Sequence, residues 1–339
     1  MGGATELLWA GFEGIDVEEV SSALSPGGWV LFARNLDPDP VTGPERCHRL
    51  IKGLRARADW TLAVAIDQEG GSVSRLRAWT GPTPTLRQIW IRGGVDACAR
   101  WGRLWGRGLR LLGIDVDFAP SADLHDGIPG TGLGDRAASP DPVEVARAAG
   151  AFLSGLESAS VRGCLKHFPG LGGTRVDSHR ALPVLEDQDQ IARNLGPFRA
   201  LAHEERLVMV AHLKTPNTQG LPASLHRGSV AGNPWGIRGR FLPDDMEMGG
   251  CGDWPWPERV RRCLEAGHQA LLVCQTPAGI RACAEAAGAL PEDLWSPALE
   301  RFRTFRSQLS PAPDGPFDRA AWEAWLEELK ESALELMPD

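Results

Sequence analysis

Within fourteen residues, Lys166 to His179, the chain places Lys166-His167-Phe168-Pro169-Gly170 and then Asp177-Ser178-His179, directly behind the apolar run Val161 to Leu165. A lysine and two histidines beside an aspartate on a Gly/Pro loop are equipment for moving protons and gripping polar substrates. Asp177 and His179 lie two apart, and on an extended segment such residues face the same side, so the carboxylate can hold the imidazole in one tautomer. A histidine held that way carries a proton near neutral pH. Read alone, an Asp-x-His pair is equally a hydrogen-bonded structural pair or half a metal site.

Other polar groups follow other apolar runs. Asp67-Gln68-Glu69-Gly70-Gly71, with Arg75 beyond, follows Leu62 to Ile66; Asp123 and Gly134-Asp135-Arg136 follow Ile114 to Ala119; His212 follows Leu207 to Ala211; Asp244 and Asp245 follow Phe241-Leu242. Five such placements on one rim make a polar pocket. Carboxylates that accept from hydroxyls, beside Lys and Arg that donate to ring and acyl oxygens, suit a polyhydroxylated substrate. Breaking a glycosidic bond needs a proton donor for the leaving oxygen and, in retaining enzymes, a carboxylate nucleophile roughly 5 Å away. Asp244, at a strand end, is a candidate nucleophile.

The elements that must position these residues are legible in the pattern. Short apolar runs recur at Leu7 to Ala10, Trp29 to Ala33, Leu62 to Ile66, Ile114 to Ala119, Val161 to Leu165, Leu207 to Ala211, Arg240 to Leu242 and Ala270 to Cys274. Helical periodicity lies between most of them, at Pro44 to Arg57, Val95 to Leu112, Pro142 to Ser158, Gln188 to Glu205 and Pro257 to Gly267. Continuously apolar strands alternating with helices imply parallel strands joined by right-handed crossovers and buried on both faces. No GxGxxG turn follows the first strand, so a (β/α)8 TIM barrel is expected over residues 1–309, though length alone allows one or two domains. Residues 310–339 read as a breaker-rich linker and an amphipathic helix carrying Trp322, Trp325, Leu326, Leu329, Ala333 and Leu336 on one face.

Composition narrows the setting. A net charge of -8 over 339 residues argues against nucleic-acid or anionic-membrane partners. The basic cluster Arg100, Arg103, Arg107 and Arg110 has helical spacing and reads as a solvated face. Seven scattered cysteines without a CxxC pair point to a reducing, cytoplasmic setting and to no zinc cluster. The first residues lack a signal-peptide pattern and no run of 18 apolar residues occurs, so a soluble protein is expected.

Together these residues resemble the glycoside hydrolase family 3 β-N-acetylglucosaminidases of bacterial peptidoglycan recycling. The resemblance is carried by Leu31-Phe32-Ala33-Arg34-Asn35, Ile66 to Gly71 with Arg75, Gly113 to Pro120, Gly134-Asp135-Arg136, Lys166 to Gly170, Asp177-Ser178-His179 and Asp244 to Met248, in family order. It implies a single-domain (β/α)8 barrel and a retaining, two-step mechanism without metal or cofactor, acting on a terminal β-linked N-acetylglucosamine. By motif position it implies Asp244 as nucleophile, His179 as acid/base held by Asp177, and Asp67, Arg75, Arg136, Lys166 and His167 as binders of the sugar, with Met248 lining the pocket. A monomer acting on muropeptide-derived sugars is expected.

Outside those roles, Glu69 is expected to pair with a nearby arginine and Asp245 with a basic group behind the nucleophile. His212 reads either as a sugar contact or as a core histidine. Trp254 and Trp256 read as surface packing, with stacking on an aglycone as the other reading. The chain departs from the family at Leu171, Gly173, Ser72 and Pro243, and Arg180 follows His179. These changes are expected to alter rate or leaving-group preference without abolishing function. Two further readings stay open on sequence alone: a phosphorylase yielding a sugar 1-phosphate, since a neutral histidine does not repel phosphate, and a sugar-binding pseudoenzyme.

Overall fold

The structure, a computed structural model, describes residues 2–337. Met1 and residues 338–339, the outer ends of the two expected segments, lie outside the described residues. Eight parallel strands form one sheet among the described residues: β1 (Leu8–Ala10), β2 (Gly28–Leu31), β3 (Ala63–Ile66), β4 (Val116–Asp117), β5 (Arg162–Phe168), β6 (Leu207–Val210), β7 (Arg240–Pro243) and β8 (Leu271–Val273). They run in the order β8-β1-β2-β3-β4-β5-β6-β7. Between the two end strands, Gln269 N–H donates to Phe241 C=O at 3.0 Å and Met246 N–H donates to Leu272 C=O at 2.9 Å, so the sheet curls round to a seam. This is a (β/α)8 barrel in architecture.

Each expected apolar run is a strand, with shifted ends. β5 continues to Phe168, so Lys166 and His167 lie on the strand itself and not after it. The peptide bonds Lys166–His167, Phe168–Pro169 and Ala119–Pro120 are cis.

Besides two single-turn helices at Gly2–Thr5 and Arg77–Thr80, the helices are α1 (Gly43–Ala56), α2 (Leu86–Leu112), α3 (Pro142–Ser158), α4 (Gln188–Leu201), α5 (Trp256–Ala266), α6 (Pro277–Gly288), α7 (Glu292–Ser307) and α8 (Arg319–Leu336). α2 starts nine residues before the expected Val95 because Thr85 and Gln88 form a capping box there, and the helix breaks only at Gly94, where φ is 60°. α4 stops at Leu201, short of Glu205, as Ala202 turns extended. Turns and short 3-10 segments, not α-helices, follow β1 and β6.

Strand alternation separates two cores. Trp9, Val30, Ala63, Ala65, Val116, Cys164, Leu207, Met209, Leu242 and Leu272 fill the barrel, joined by Phe302 and Phe305 of α7. Their neighbours Leu8, Leu31, Val64, Ile66, Leu271 and Val273 pack outward against helices. Trp9 anchors the interior, 5.1 Å edge-on to Phe118 and 5.4 Å from Phe302.

α8 lies on α2, with Trp322, Trp325, Leu329, Ala333 and Leu336 buried. Trp325 Nε1 donates to Leu104 C=O at 2.7 Å, and its ring fills the space over Gly108, where a Cβ would come within 2.2 Å. The basic face of α2 is therefore not simply solvated: Arg107 pairs with Glu328 of α8 at 2.7 Å, Arg100 reaches Glu335 at 3.5 Å, and Arg110 reaches Asp115 at 3.3 Å. No helix among the described residues is long and apolar enough to cross a membrane.

Candidate active site

Because side chains alternate along a strand, the residue two beyond an inward-facing one also faces inward. Ala65, Cys164 and Leu242 face the barrel interior. Asp67, Lys166 and Asp244 therefore project from three strand ends into one cavity of about 130 Å³. Glu69, Arg75, Arg136, His167, His179, Asp245 and Met248 also line it. Of the residues given a catalytic or sugar-binding role by motif position, all line this cavity except Asp177, which reaches it through His179.

The floor is an interlocked charge cluster. Lys166 Nζ, 2% exposed, donates to Asp67 Oδ1 at 2.9 Å and lies 2.6 Å from Glu69 Oε1. Arg136 forks onto Glu69, with Nε at 3.0 Å and a terminal nitrogen at 2.8 Å, and that second nitrogen also meets His167 Nε2 at 3.2 Å. Arg75 approaches Asp67 Oδ2 at 3.4 Å and lies over the Phe32 ring at 5.2 Å. Glu69 thus pairs with an arginine as expected, and with Lys166 as well. Burial alone would raise the Glu69 and Asp67 carboxyls, but Arg136 and Lys166 hold Glu69 well below the usual range, and Lys166 and Arg75 lower Asp67. Burial would likewise lower Lys166, yet Asp67 and Glu69 keep it charged.

Asp123, a strand-end residue given no role from sequence, organises the next layer. Its Oδ2 accepts from His167 Nδ1 at 2.6 Å and from Ser121 Oγ at 3.0 Å, while Oδ1 accepts the Leu171 N–H at 2.7 Å. It therefore fixes the His167 tautomer and the start of the loop beyond β5. Against its burial, His167 and the Leu171 N–H hold Asp123 low. The signal that could have found it is the Ser-x-Asp turn after Pro120.

These depressed carboxyls set an acid limit. Asp67, Glu69 and Asp123 bind protons less readily folded than unfolded, so their stabilisation is complete above the usual carboxylate range and drains away as pH falls through the depressed values. Urea midpoints should fall as pH drops below about 5 and on towards the depressed values. Glu69→Gln should cost about 3–5 kcal/mol at neutral pH, by stranding part of the Lys166 and Arg136 charge, and should flatten that dependence. An unchanged slope would assign the acid sensitivity elsewhere.

The loop after β5 carries Asp177 and His179. His179 Nδ1 lies 2.7 Å from Asp177 Oδ1, which also accepts the His179 N–H at 3.0 Å; the imidazole is 63% exposed, at the mouth. Burial would raise Asp177, but the His179 N–H, its ring and the Arg180 charge hold it low.

The base of this loop accounts for two departures. The Leu171 side chain is buried with Phe168, Leu185, Ile191 and Leu195 as an apolar anchor at the foot of the loop. Gly173 donates its N–H to Asp126 at 2.7 Å with φ of 86°, and a Cβ there would lie 2.9 Å from Gln190 Cγ, so an acidic side chain would be strained. Asn194 of α4 donates to Gly170 C=O at 3.0 Å and Gly172 C=O at 2.8 Å. Ser72 sits exposed at the tip of the Gln68–Gly70/Val73–Ser74 hairpin. Pro243 removes a donor but not the strand pairing, because Asp244 N–H donates to Val210 C=O at 2.9 Å.

Asp245 departs from expectation. Among the described residues no basic group meets it: Oδ1 accepts from Cys274 N–H at 3.2 Å and Glu247 N–H at 3.1 Å, and Oδ2 accepts from Gln275 Nε2 at 2.6 Å. Burial pushes its carboxyl up to about 6. His212 is a core histidine, with Nδ1 2.7 Å from Ser224 Oγ and Nε2 2.9 Å from the Asp245 carbonyl, and burial lowers its pKa. Trp254 and Trp256 pack against the outer core outside the cavity, with Arg259 4.7 Å over the Trp256 ring. Among the described residues no group of three or more His, Cys, Asp or Glu side chains is arranged to hold a metal ion.

The sequence profile of the glycosyl hydrolase family 3 N-terminal domain matches residues 15–304. The β-hexosaminidase of Methylococcus capsulatus is 34% identical over 273 residues, covering 77% of this chain and 79% of that protein. The solved structure of native NagZ from Neisseria gonorrhoeae superimposes with a TM-score of 0.80 at 27% identity, covering 98% of each chain. NagZ from that organism in complex with N-trifluoroacetyl-D-glucosamine gives 0.79 at the same identity and coverage.

Proposed function

The chain belongs to glycosyl hydrolase family 3, and from that membership we propose that it is an exo-acting, retaining β-N-acetylglucosaminidase. The observation that carries the reading is the convergence of a lone strand-end carboxylate, Asp244, and a carboxylate-held imidazole, His179, on a cavity floored by Asp67, Lys166, Arg136 and His167. The cavity is smaller than the roughly 300–1,000 Å³ of drug-sized ligand pockets, which suits one sugar ring better than an oligosaccharide cleft.

Asp244 attacks the anomeric carbon of a terminal β-linked N-acetylglucosamine while His179 Nε2–H gives its proton to the leaving oxygen, forming a glycosyl ester on Asp244. His179, now neutral with its Nδ1–H held by Asp177, takes a proton from water as that water attacks the ester's anomeric carbon. The second inversion releases Asp244 and a sugar of retained configuration. Asp67, Arg75, Arg136, Lys166 and His167 hold the hydroxyls and N-acetyl group, and Met248 packs against the ring.

The substrate class extends the reading to peptidoglycan-derived sugars. Seven buried, unpaired thiols support a cytoplasmic setting. We take the working form to be a monomer with a barrel over 1–309 and an appended 310–339 segment.

A chromogenic aryl β-N-acetylglucosaminide, followed by NMR of the sugar formed with and without phosphate, tests the proposal. The expected product is N-acetylglucosamine appearing first as its β anomer. N-acetylglucosamine 1-phosphate as the main product would replace hydrolysis with phosphorolysis. Sugar binding without turnover would make the chain a pseudoenzyme.

A further inference from the structure

The loop bearing the acid/base residue is joined main chain to main chain with the loop bearing the nucleophile. Gly249 N–H donates to His179 C=O at 3.1 Å, and Gly250 N–H donates to Ser178 C=O at 2.9 Å. Gly249 is five residues beyond Asp244 on the same loop. The imidazole of His179 is mostly exposed and bonds to Asp177, a residue of its own loop. The intra-loop turn, closed by Arg180 N–H donating to Asp177 C=O at 2.9 Å, shapes that loop but does not locate it over Asp244. The two bonds from Gly249 and Gly250 do.

Glycine at this junction is a matter of space, since neither residue is among the glycines with positive φ. A Cβ on Gly249 would lie 2.4 Å from Arg180 C=O and 2.9 Å from His179 C=O. A Cβ on Gly250 would lie 2.8 Å from His212 Cβ and 3.1 Å from Ser178 C=O. His212 has little room to yield, being fully buried with both ring nitrogens bonded. A side chain at Gly249 meets the His179–Arg180 main chain directly, and one at Gly250 is wedged between the immobile His212 and Ser178 C=O, so that it must press toward the His179 loop.

We propose that Gly249 and Gly250 are positioning residues for the acid/base, forming a socket that seats His179 above Asp244. The inference rests on the reading of Asp244 as nucleophile and His179 as acid/base. A methyl group in the socket lifts the imidazole away from the leaving oxygen and leaves the nucleophile and the sugar floor in place. A displacement of about 1 Å between reacting groups is worth about 10²-fold in rate.

The test uses the full chain with Gly249→Ala and, in case that variant folds poorly, Gly250→Ala, each assayed on an alkyl and on a strongly activated aryl β-N-acetylglucosaminide. The expected result is a loss of about 10²-fold in kcat/KM for the alkyl glycoside and less than about threefold for the activated one. In the His179→Ala background the same substitution should add less than about threefold, because residues acting through one group are not additive. Gly252→Ala is the control, since Gly252 has helical dihedrals and a Cβ there approaches only atoms of Gly249, within its own turn; it should behave as wild type. Equal losses on both substrates, or a full further loss in the double variant, overturn the socket while leaving His179 in its role. If His179→Ala itself shows no dependence on leaving group, the acid/base reading falls and takes the socket with it.

Discussion

Asp244→Asn is expected to lower kcat for an aryl β-N-acetylglucosaminide by about 10⁴-fold or more, with folding and sugar affinity retained. The size of the effect follows from its position. β7 sets Leu242 inside the barrel, so Asp244 faces the cavity, and the Asp244 N–H holds the Val210 carbonyl at 2.9 Å, fixing the main chain beneath it. Its Oδ1 accepts the Asp245 N–H at 2.9 Å, and no cation pairs with the carboxylate among the described residues. Asp67 and Glu69, by contrast, are locked against Lys166, Arg75 and Arg136. An unpaired carboxylate keeps a lone pair for carbon, whereas an ion-paired one spends it on N–H donors. The amide in Asn keeps the shape and loses the nucleophile. Rapid-quench mass spectrometry should find the glycosyl ester on the wild type and none on the variant. More than about one per cent of wild-type turnover remaining would remove Asp244 from the covalent step.

His179→Ala should divide substrates by their leaving groups. For an alkyl glycoside the departing oxygen needs a proton, and losing the donor should cost about 10²–10⁴-fold in kcat/KM. An activated aryl glycoside leaves as a stable anion and should lose less than about tenfold. Asp177→Asn should follow the same division with a smaller loss on alkyl glycosides, because it offers the Nδ1–H a weaker acceptor and no longer stabilises the imidazolium. Equal losses across leaving groups would make the pair structural, the other reading open to an Asp-x-His motif.

The parts of the site legible in the sequence are those that depend on local order. Alternation along a strand, extended past its apolar run, is enough to send Asp67, Lys166 and Asp244 to a common rim. What the sequence could not carry is pairing across long separations. Glu69 meets Arg136 and Lys166, 67 and 97 residues away, and Asp123 meets His167, 44 residues on; adjacency in space leaves no mark at either position. Asp245 differs from its expected pairing for a related reason. A buried carboxylate suggests a cation, but here three N–H donors satisfy it, two of them from Cys274 and Gln275. Element ends failed where caps outweigh periodicity, as at Thr85.

The seam between β7 and β8 has a consequence for how the protein wears out. Elsewhere neighbouring strands share a ladder, as β2 and β3 do over four residue pairs, but these two are held by single main-chain bonds from Gln269 and Met246 and by the carboxylate of Asp245 reaching across to Cys274 and Gln275. A cylinder with one weakly stitched edge opens along that edge before its staves separate. The stitches flank Asp244, so warming should erase turnover while the far side of the barrel still stands.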